Sequence, residues 1–321
     1  MIETTEVAAG RVVDAEAGVG STQNHLVRTR SITGAREQAS AKVSRSVVYS
    51  PNSHLGMGLG PWREMGRELV DSRELTWRLF LRDFSARYRQ SVLGYIWAIV
   101  PSLVTAATFT LLNRSSVLTI RGTGLPYPLF VLLGMTVWQL FSVGLTNATQ
   151  CLVLAGPLIT KISFPRETLV LAAFGQSVFQ FLIGLVLVTL AFVIYHTVPA
   201  WTVIFIPLAV LPLCLLTIGL GFLFALINGV IRDAGQMITF VLMFGMFLTP
   251  VVYPAPTHGA KALINVLNPV SPFVNAAQDL ASRGHLTQPG FYAIGCLVSL
   301  FVFLFSWRVF HLTETRIAER V

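Results

Sequence analysis

The chain has 321 residues, 54% of them apolar and only 12% charged, with a mean hydropathy of +0.67. Soluble domains carry about 25% charged residues, so a soluble core of this length is excluded as a hiding place for the apolar surface, and the bilayer is the expected solvent. The formal charge of +8 argues for topology rather than for a nucleic-acid partner: thirteen of the 23 Lys+Arg precede residue 92, and most of the others sit in short links between apolar runs.

Residues 1–60 are rich in Ala, Gly, Ser, Thr and mixed charge without a sustained period, which reads as a disordered cytoplasmic N-terminal extension. No charged stretch followed by a short apolar one opens the chain, so no cleavable signal peptide is expected and the first span would act as its own insertion signal. In residues 61–91, Met65, Leu69, Trp77, Phe80, Phe84 and Tyr88 recur at intervals of three, four or eight, which places them on one helical face. Arg63, Arg67, Arg73, Arg78, Arg82 and Arg89 occupy mostly the rest, and Asp71 with Glu74 would cap a second helical segment. Trp and Phe opposite Arg suit an amphipathic helix lying on a membrane surface. It runs directly into Ser91–Leu112, which carries no charge.

A span needs about 20 apolar residues to cross roughly 30 Å. Six are expected within an all-α polytopic domain over 92–321, at about 92–112, 128–149, 169–195, 202–227, 237–253 and 291–310. The 64 residues between Glu167 and Arg232 contain no formal charge, the length of two spans and a tight turn. Counting Lys and Arg, an arrangement with both termini cytoplasmic places 19 inside and leaves Arg114, Arg121, Lys261 and Arg283 outside, which sets the expected orientation. Segment 254–289 is too polar for a full span and too apolar for a free loop. With Pro269 and Pro272 dividing it, the residues fit either a re-entrant helical hairpin or a partly helical external cap.

Several kinds of chemistry are missing. There is no G-x-x-x-x-G-K-[S/T], G-x-S-x-G or H-E-x-x-H, and the three cysteines are scattered through apolar sequence as small buried hydrophobes. Neither a metal nor a cofactor is expected on this chain. Apart from Arg308 near the end of the sixth, no Asp, Glu, Lys or Arg lies within an expected span, which counts against ion-coupled transport and against a membrane-embedded enzyme. If the chain is part of a pump, its energy comes from a partner.

Two groups of residues look like working parts. Between the second and third spans, Ala155–Thr168 reads AGPLITKISFPRET, where Pro157 suits a first helical turn and Pro165 disfavours helix at Phe164. A short rod carrying Leu158, Ile159, Lys161 and Ile162, followed by Phe164 and Arg166, either docks in a groove of a cytoplasmic partner or forms an ordinary interfacial turn. The second group is aromatic, including Tyr95, Trp97, Trp138 and Phe141, which serve either as packing or as stacking faces for sugars along a path. Gly219, Gly221 and Ala225 would permit close helix contact.

Several segments together resemble the permease subunit of ABC-2 type polysaccharide exporters, the family that exports O-antigen, capsule, teichoic acid or galactan precursors. RDFSARYRQSVLGYIWAIVPSL fits an R-D-x-x-x-R-Y-x-x-S/T-x-L-G-x-x-W pattern, and LITKISFPRETLVL is similar to the family's loop before the third span. RDAGQMITFVLMFGMFLTPVVYP, LNPVSPFVNAAQDL and TETRIAERV resemble its fifth span, external hairpin and closing segment, so the likeness covers about residues 65–321 in order.

The resemblance implies a homodimer paired with two copies of a separate ATPase subunit, which would use the ATP and Mg, in the bacterial cytoplasmic membrane. It makes Pro157, Leu158, Lys161, Ile162, Phe164, Pro165, Arg166 and Glu167 the coupling segment seated on the ATPase. Arg78, Arg82, Arg87, Tyr88 and Arg89 become a gate helix at the entrance for a polyprenyl-pyrophosphate-linked polysaccharide. Asn268, Pro269, Pro272 and Phe273 become an external gate. The rival readings are an ABC-2 exporter of a drug or lipid and a membrane-embedded glycosyl- or acyltransferase, for which His196, Asn147, Gln150 and Asp279 are the polar residues to test.

Overall fold

The structure, a computed structural model, describes residues 59–88, 100–116, 120, 122–159, 161, 164–231, 233–255 and 259–317, and every regular element among them is helical. The expected extension at 1–60 lies almost wholly outside the described residues, as do Arg89, Tyr95 and Trp97.

Two helices open the described chain, α1 (Leu59–Asp71) and α2 (Arg73–Tyr88), separated by a turn at Ser72. The second segment begins where the sequence suggested. Asp71, however, pairs with Arg67 at 3.9 Å and Glu74 with Arg78 at 2.6 Å, so both acids support their own helices through i,i+4 pairs. The turn also divides the single apolar face expected from the spacing. Met65 is buried and Phe80 and Phe84 are half-buried, but Trp77 stays 59% exposed and Leu79 is buried instead.

Among the described residues, four helical segments are long and apolar enough to cross a membrane: Tyr127–Leu154, Glu167–Ile194, Trp201–Val230 and Pro289–Thr313. They contain α4 (Tyr127–Leu154), α6 (Glu167–Ile194), α8 (Leu211–Val230) and most of α12 (Pro289–Ile317). Together they make this a multi-pass membrane protein. The expected first and fifth spans correspond to α3 (Val100–Arg114) and α9 (Ala234–Leu248), with 15 residues each. At 1.5 Å per residue, such helices reach roughly 22 Å, short of a 30 Å hydrocarbon core. Residues 92–99 of the first lie outside the described ones. The fifth stops at Thr249, whose extended backbone (ψ 142°) is what a following proline, Pro250, demands.

The segment Trp201–Val230 is continuous only in composition. A 3-10 turn (Trp201–Phe205) leads into α7 (Ile206–Ala209) and then α8, with Pro207 and Pro212 in the first turns of α7 and α8. A proline there gives up an N–H that would have no partner in the helix.

α4 is the axis of the bundle. Twenty of its 28 residues are buried, as befits a helix that is apolar all round and enclosed by protein. Its neighbours bury one side and leave the other apolar side outward. On α6 the exposed positions Leu182, Val186, Leu190 and Val193 form one stripe, and on α12 Ile294, Leu297, Phe301 and Phe305 form another. Stripes of large apolar residues at helical spacing face lipid, which is as apolar as they are.

With no hydrophobic force to separate inside from outside, close packing by small residues holds the helices together. A Cβ at Gly219 would lie 2.8 Å from the Cα of Phe303, and one at Gly221 would lie 2.7 Å from the Cβ of Ala148. The close contact expected at these glycines joins α8 to α12 on one side and to α4 on the other.

Segment 254–289 forms two short helices, α10 (Ala260–Leu267) and α11 (Ser271–Ser282). Ten of the 12 residues of α11 are buried, whereas Leu263, Val266 and Leu267 of α10 are exposed. The two are therefore unequal: α11 is wedged into the end of the bundle, and α10 lies outside it.

Candidate functional site

The expected site residues fall at the two ends of the bundle. At one end α2 runs alongside α6: Phe80 sits against Gly175, and Phe84 meets Phe179 edge-on at 4.6 Å. Contacts four residues apart on α2 meet positions four apart on α6, so the helices advance together over this stretch. The cause of this contact is local. Gly175 leaves room for a ring that any larger residue would push away.

Between α2, the end of α4 and the start of α6 lies a polar cavity of about 270 Å³. Arg82 and Asp83 on α2 line it as an ion pair at 2.8 Å. Asn147 and Gln150 on α4 and Gln176 on α6 supply amides, with Cys151 on the apolar wall. Arg78, by contrast, is held by Glu74 and does not line this cavity. Arg87 and Tyr88 belong to the last turn of α2, but their side chains lie outside the described residues.

The link from α4 to α6 passes just below this cavity. α5 (Gly156–Ile159) is a single turn, and Lys161 follows it in a turn closed by its N–H donating to the Leu158 carbonyl. Leu158, Ile159 and Phe164 pack against the chain's own core, while Pro157 and Lys161 are exposed and Arg166 is half-buried. Ile162 lies outside the described residues. Pro165 closes the link: its carbonyl accepts from both the Thr168 N–H and hydroxyl as α6 begins.

Glu167, the first residue of α6, is 3% exposed and lies 2.9 Å through Oε1 from Nδ1 of His311 on α12. Sequence reasoning gave His311 no role, because its partner is 144 positions away. Close by, Asn228 near the end of α8 accepts from the Gly235 N–H at 2.8 Å and donates to the Thr149 carbonyl at 3.0 Å. That one buried amide fixes the turn from α8 to α9 against α4.

At the other end α11 is tied down by polar contacts. Gln278 reaches the carbonyls of Pro250 and Val251, Thr202 donates to the Leu280 carbonyl at 2.6 Å, and Ala200 N–H donates to the Ala281 carbonyl. Asp279 accepts from Arg283 at 3.0 Å and from the Thr287 N–H at 2.9 Å, which closes the loop into α12. Asn268 donates to Thr249 Oγ1 at 2.7 Å and accepts from the Val270 N–H. Pro269 is exposed; Pro272 and Phe273 are buried, the latter edge-on to Tyr292 at 5.8 Å.

Trp138 and Phe141, the two described members of the suspected path, are buried within the bundle 5.6 Å apart, with Trp138 over Gly245. Among the described residues no group of three or more His, Cys, Asp or Glu is placed to hold a metal ion. Asn147 and Gln150 lie at one end of the bundle, and Asp279 with its loop lies at the other. His196 shapes the turn after α6. The four polar residues singled out for an enzyme therefore do not gather into one site.

A polar cavity and a short exposed link at one end of an apolar bundle, with a wedge at the other, suit a transport subunit better than a catalyst. Comparison with known families decides the matter, because the family model of the ABC-2 type transporter matches residues 74–281. The chain belongs to the ABC-2 type transporter family. The match begins in α2 and ends in α11, so it takes in both ends of the bundle just described.

Among curated proteins this ABC-2 family member is similar to the O-antigen export system permease protein RfbA of Myxococcus xanthus, at 29% identity over 219 residues, 66% of this chain and 82% of the relative. It is also similar to the protein of the same name from Klebsiella pneumoniae, at 23% identity over 240 residues, 74% of this chain and 91% of the relative.

Proposed function

We propose that this chain is the membrane permease of an ATP-driven exporter that moves a polyprenyl-pyrophosphate-linked polysaccharide of O-antigen, teichoic acid or galactan type out across the bacterial cytoplasmic membrane. The observation that carries this reading is the likeness to O-antigen permeases, which extends over most of the length of each relative. Two copies of the chain would pair with two ATPase subunits, and ATP with Mg would be used there.

In this reading the N-terminal helices and the 155–166 link face the cytoplasm, and both termini lie inside. Pro157, Lys161 and Arg166 would meet the ATPase, while Leu158, Phe164 and Glu167 hold the link against the permease and pass its movement to α6 and α12. The polar cavity beside Arg82 and Asp83 offers amide donors and acceptors to sugar hydroxyls or to the pyrophosphate. Arg87 and Arg89 would add charge at that entrance. α10 and α11 would serve as the external gate, with Asn268 holding the corner between them and the end of α9.

The test is reconstitution. The full chain, co-expressed with a Walker-motif ATPase of the same cell, should co-purify with that ATPase, and lipid-linked glycan should stimulate ATP hydrolysis several-fold. Deleting the gene should remove the glycan from the cell surface. Stimulation by small apolar drugs and none by lipid-linked glycan would replace this reading with drug export.

A further inference from the structure

A second cavity, larger than the polar one, shares no lining residue with it. About 750 Å³ in volume, it runs between α1–α2 and α6, from Leu171 to Leu182. Eleven residues of helix make it roughly 16 Å long, and its volume falls in the roughly 300–1,000 Å³ range of ligand pockets. Trp77, Phe80, Val178 and Phe179 form apolar walls, and Leu182 at its far end is 52% exposed on the stripe that faces lipid.

Its polar groups are few. Thr76 lines it but donates its hydroxyl to the Ser72 carbonyl at 3.2 Å. Arg73 is different. Arg67, Arg78 and Arg82 each pair with a carboxylate from α1 or α2, whereas Arg73 makes no ion pair among the described residues and lines the cavity. Because α2 and α6 advance together, Arg73 belongs to the end of the groove nearest the start of α6, and Leu182 to the end deepest along the span. An unpaired guanidinium at one end of a long apolar groove open to lipid is complementary to an anionic amphiphile.

We propose that this groove binds an anionic phospholipid, with its phosphate on Arg73 and one acyl chain between α2 and α6. The bound lipid would brace the helices that bear the polar cavity. It is a component of the folded permease, not its cargo, so the assignment does not depend on which substrate is exported.

Trp77 supplies the probe. The full-length protein is placed in nanodiscs of phosphatidylcholine containing a fixed fraction of either brominated phosphatidylglycerol or brominated phosphatidylcholine, and tryptophan quenching is measured. Brominated phosphatidylglycerol should be preferred about fivefold, the effect of one arginine near an anionic surface. Trp77→Phe should remove the difference by removing the reporter. Arg73→Gln should abolish the preference and Arg73→Lys retain it, both positions being exposed and tolerant of change. Equal quenching by the two lipids, or a preference that survives Arg73→Gln, overturns the proposal. So does the absence of any quenching at Trp77, which would mean that protein fills the groove. Displacement of the quencher by undecaprenyl phosphate but not by unlabelled phosphatidylglycerol would make the groove a cargo site and equally overturn it.

Discussion

Glu167 and His311 meet at 2.9 Å with 3% and 9% of their surfaces exposed, joining the first residue of α6 to α12 across 144 positions of sequence. Burying either without the other leaves a polar group short of a partner, at a cost of about 1–3 kcal/mol. Glu167→Leu and His311→Leu should each lower the thermal midpoint of the detergent-purified protein. The double variant should be more stable than the sum of the two losses implies, with a coupling of about 0.5–3 kcal/mol. Strict additivity would show that the two side chains do not interact.

That pair marks the boundary of what the sequence could reveal. The spans of α4, α6, α8 and α12 were legible because uncharged runs of that length have few other uses, whereas the fifth was expected to run to 253 and its helix stops at Leu248, ahead of Pro250. The pairing of Glu167 with His311, and of Asn228 with Thr149, follows from how the helices cross, which no local period encodes. The course of α2 along α6 was hidden for a related reason. Its Phe80 fits because Gly175, 95 positions later, leaves the space. At the site, the residues of the 155–166 link could be named from its prolines, but their division into core-facing Phe164 and exposed Lys161 could not.

Gly219 should tolerate nothing larger. An added Cβ would fall 2.8 Å from backbone at Phe303, which cannot rotate away, whereas one at Gly290 of α12 meets nothing within 4 Å. Gly219→Ala should cost about 1–3 kcal/mol as overpacking, while Gly290→Ala should be neutral or stabilising by up to about 1 kcal/mol through helix propensity. The two midpoints measured side by side decide this, and equal midpoints would remove the close approach of α8 and α12.

His196 should be replaceable without loss of transport. After α6 its N–H donates to the Val193 carbonyl and that of Thr197 to the Phe192 carbonyl, the paired bonds of a Schellman turn, with His196 at φ 45° where glycine is usual. His196→Gly should match or exceed the native stability, and His196→Val, which resists that backbone, should lose about 1–2 kcal/mol. Glycan display should be native in the glycine variant. A sharp loss there, with folding intact, would point to chemistry at the imidazole.

The 155–166 link offers the most direct test of the exporter reading, because its residues separate by burial. Phe164 packs on the core, so Phe164→Ala should lower both stability and export, with a stability loss of about 1–3 kcal/mol for a half-buried ring. Lys161 is exposed, and reversing its charge should leave the midpoint within about 0.5 kcal/mol. In the reconstituted complex, Lys161→Glu and Arg166→Glu should weaken co-purification of the ATPase or separate ATP hydrolysis from glycan movement at least tenfold. Native surface display in both charge-reversal variants, with native ATPase recovery, would mean that the partner seats elsewhere and that this turn only closes the path from α4 to α6.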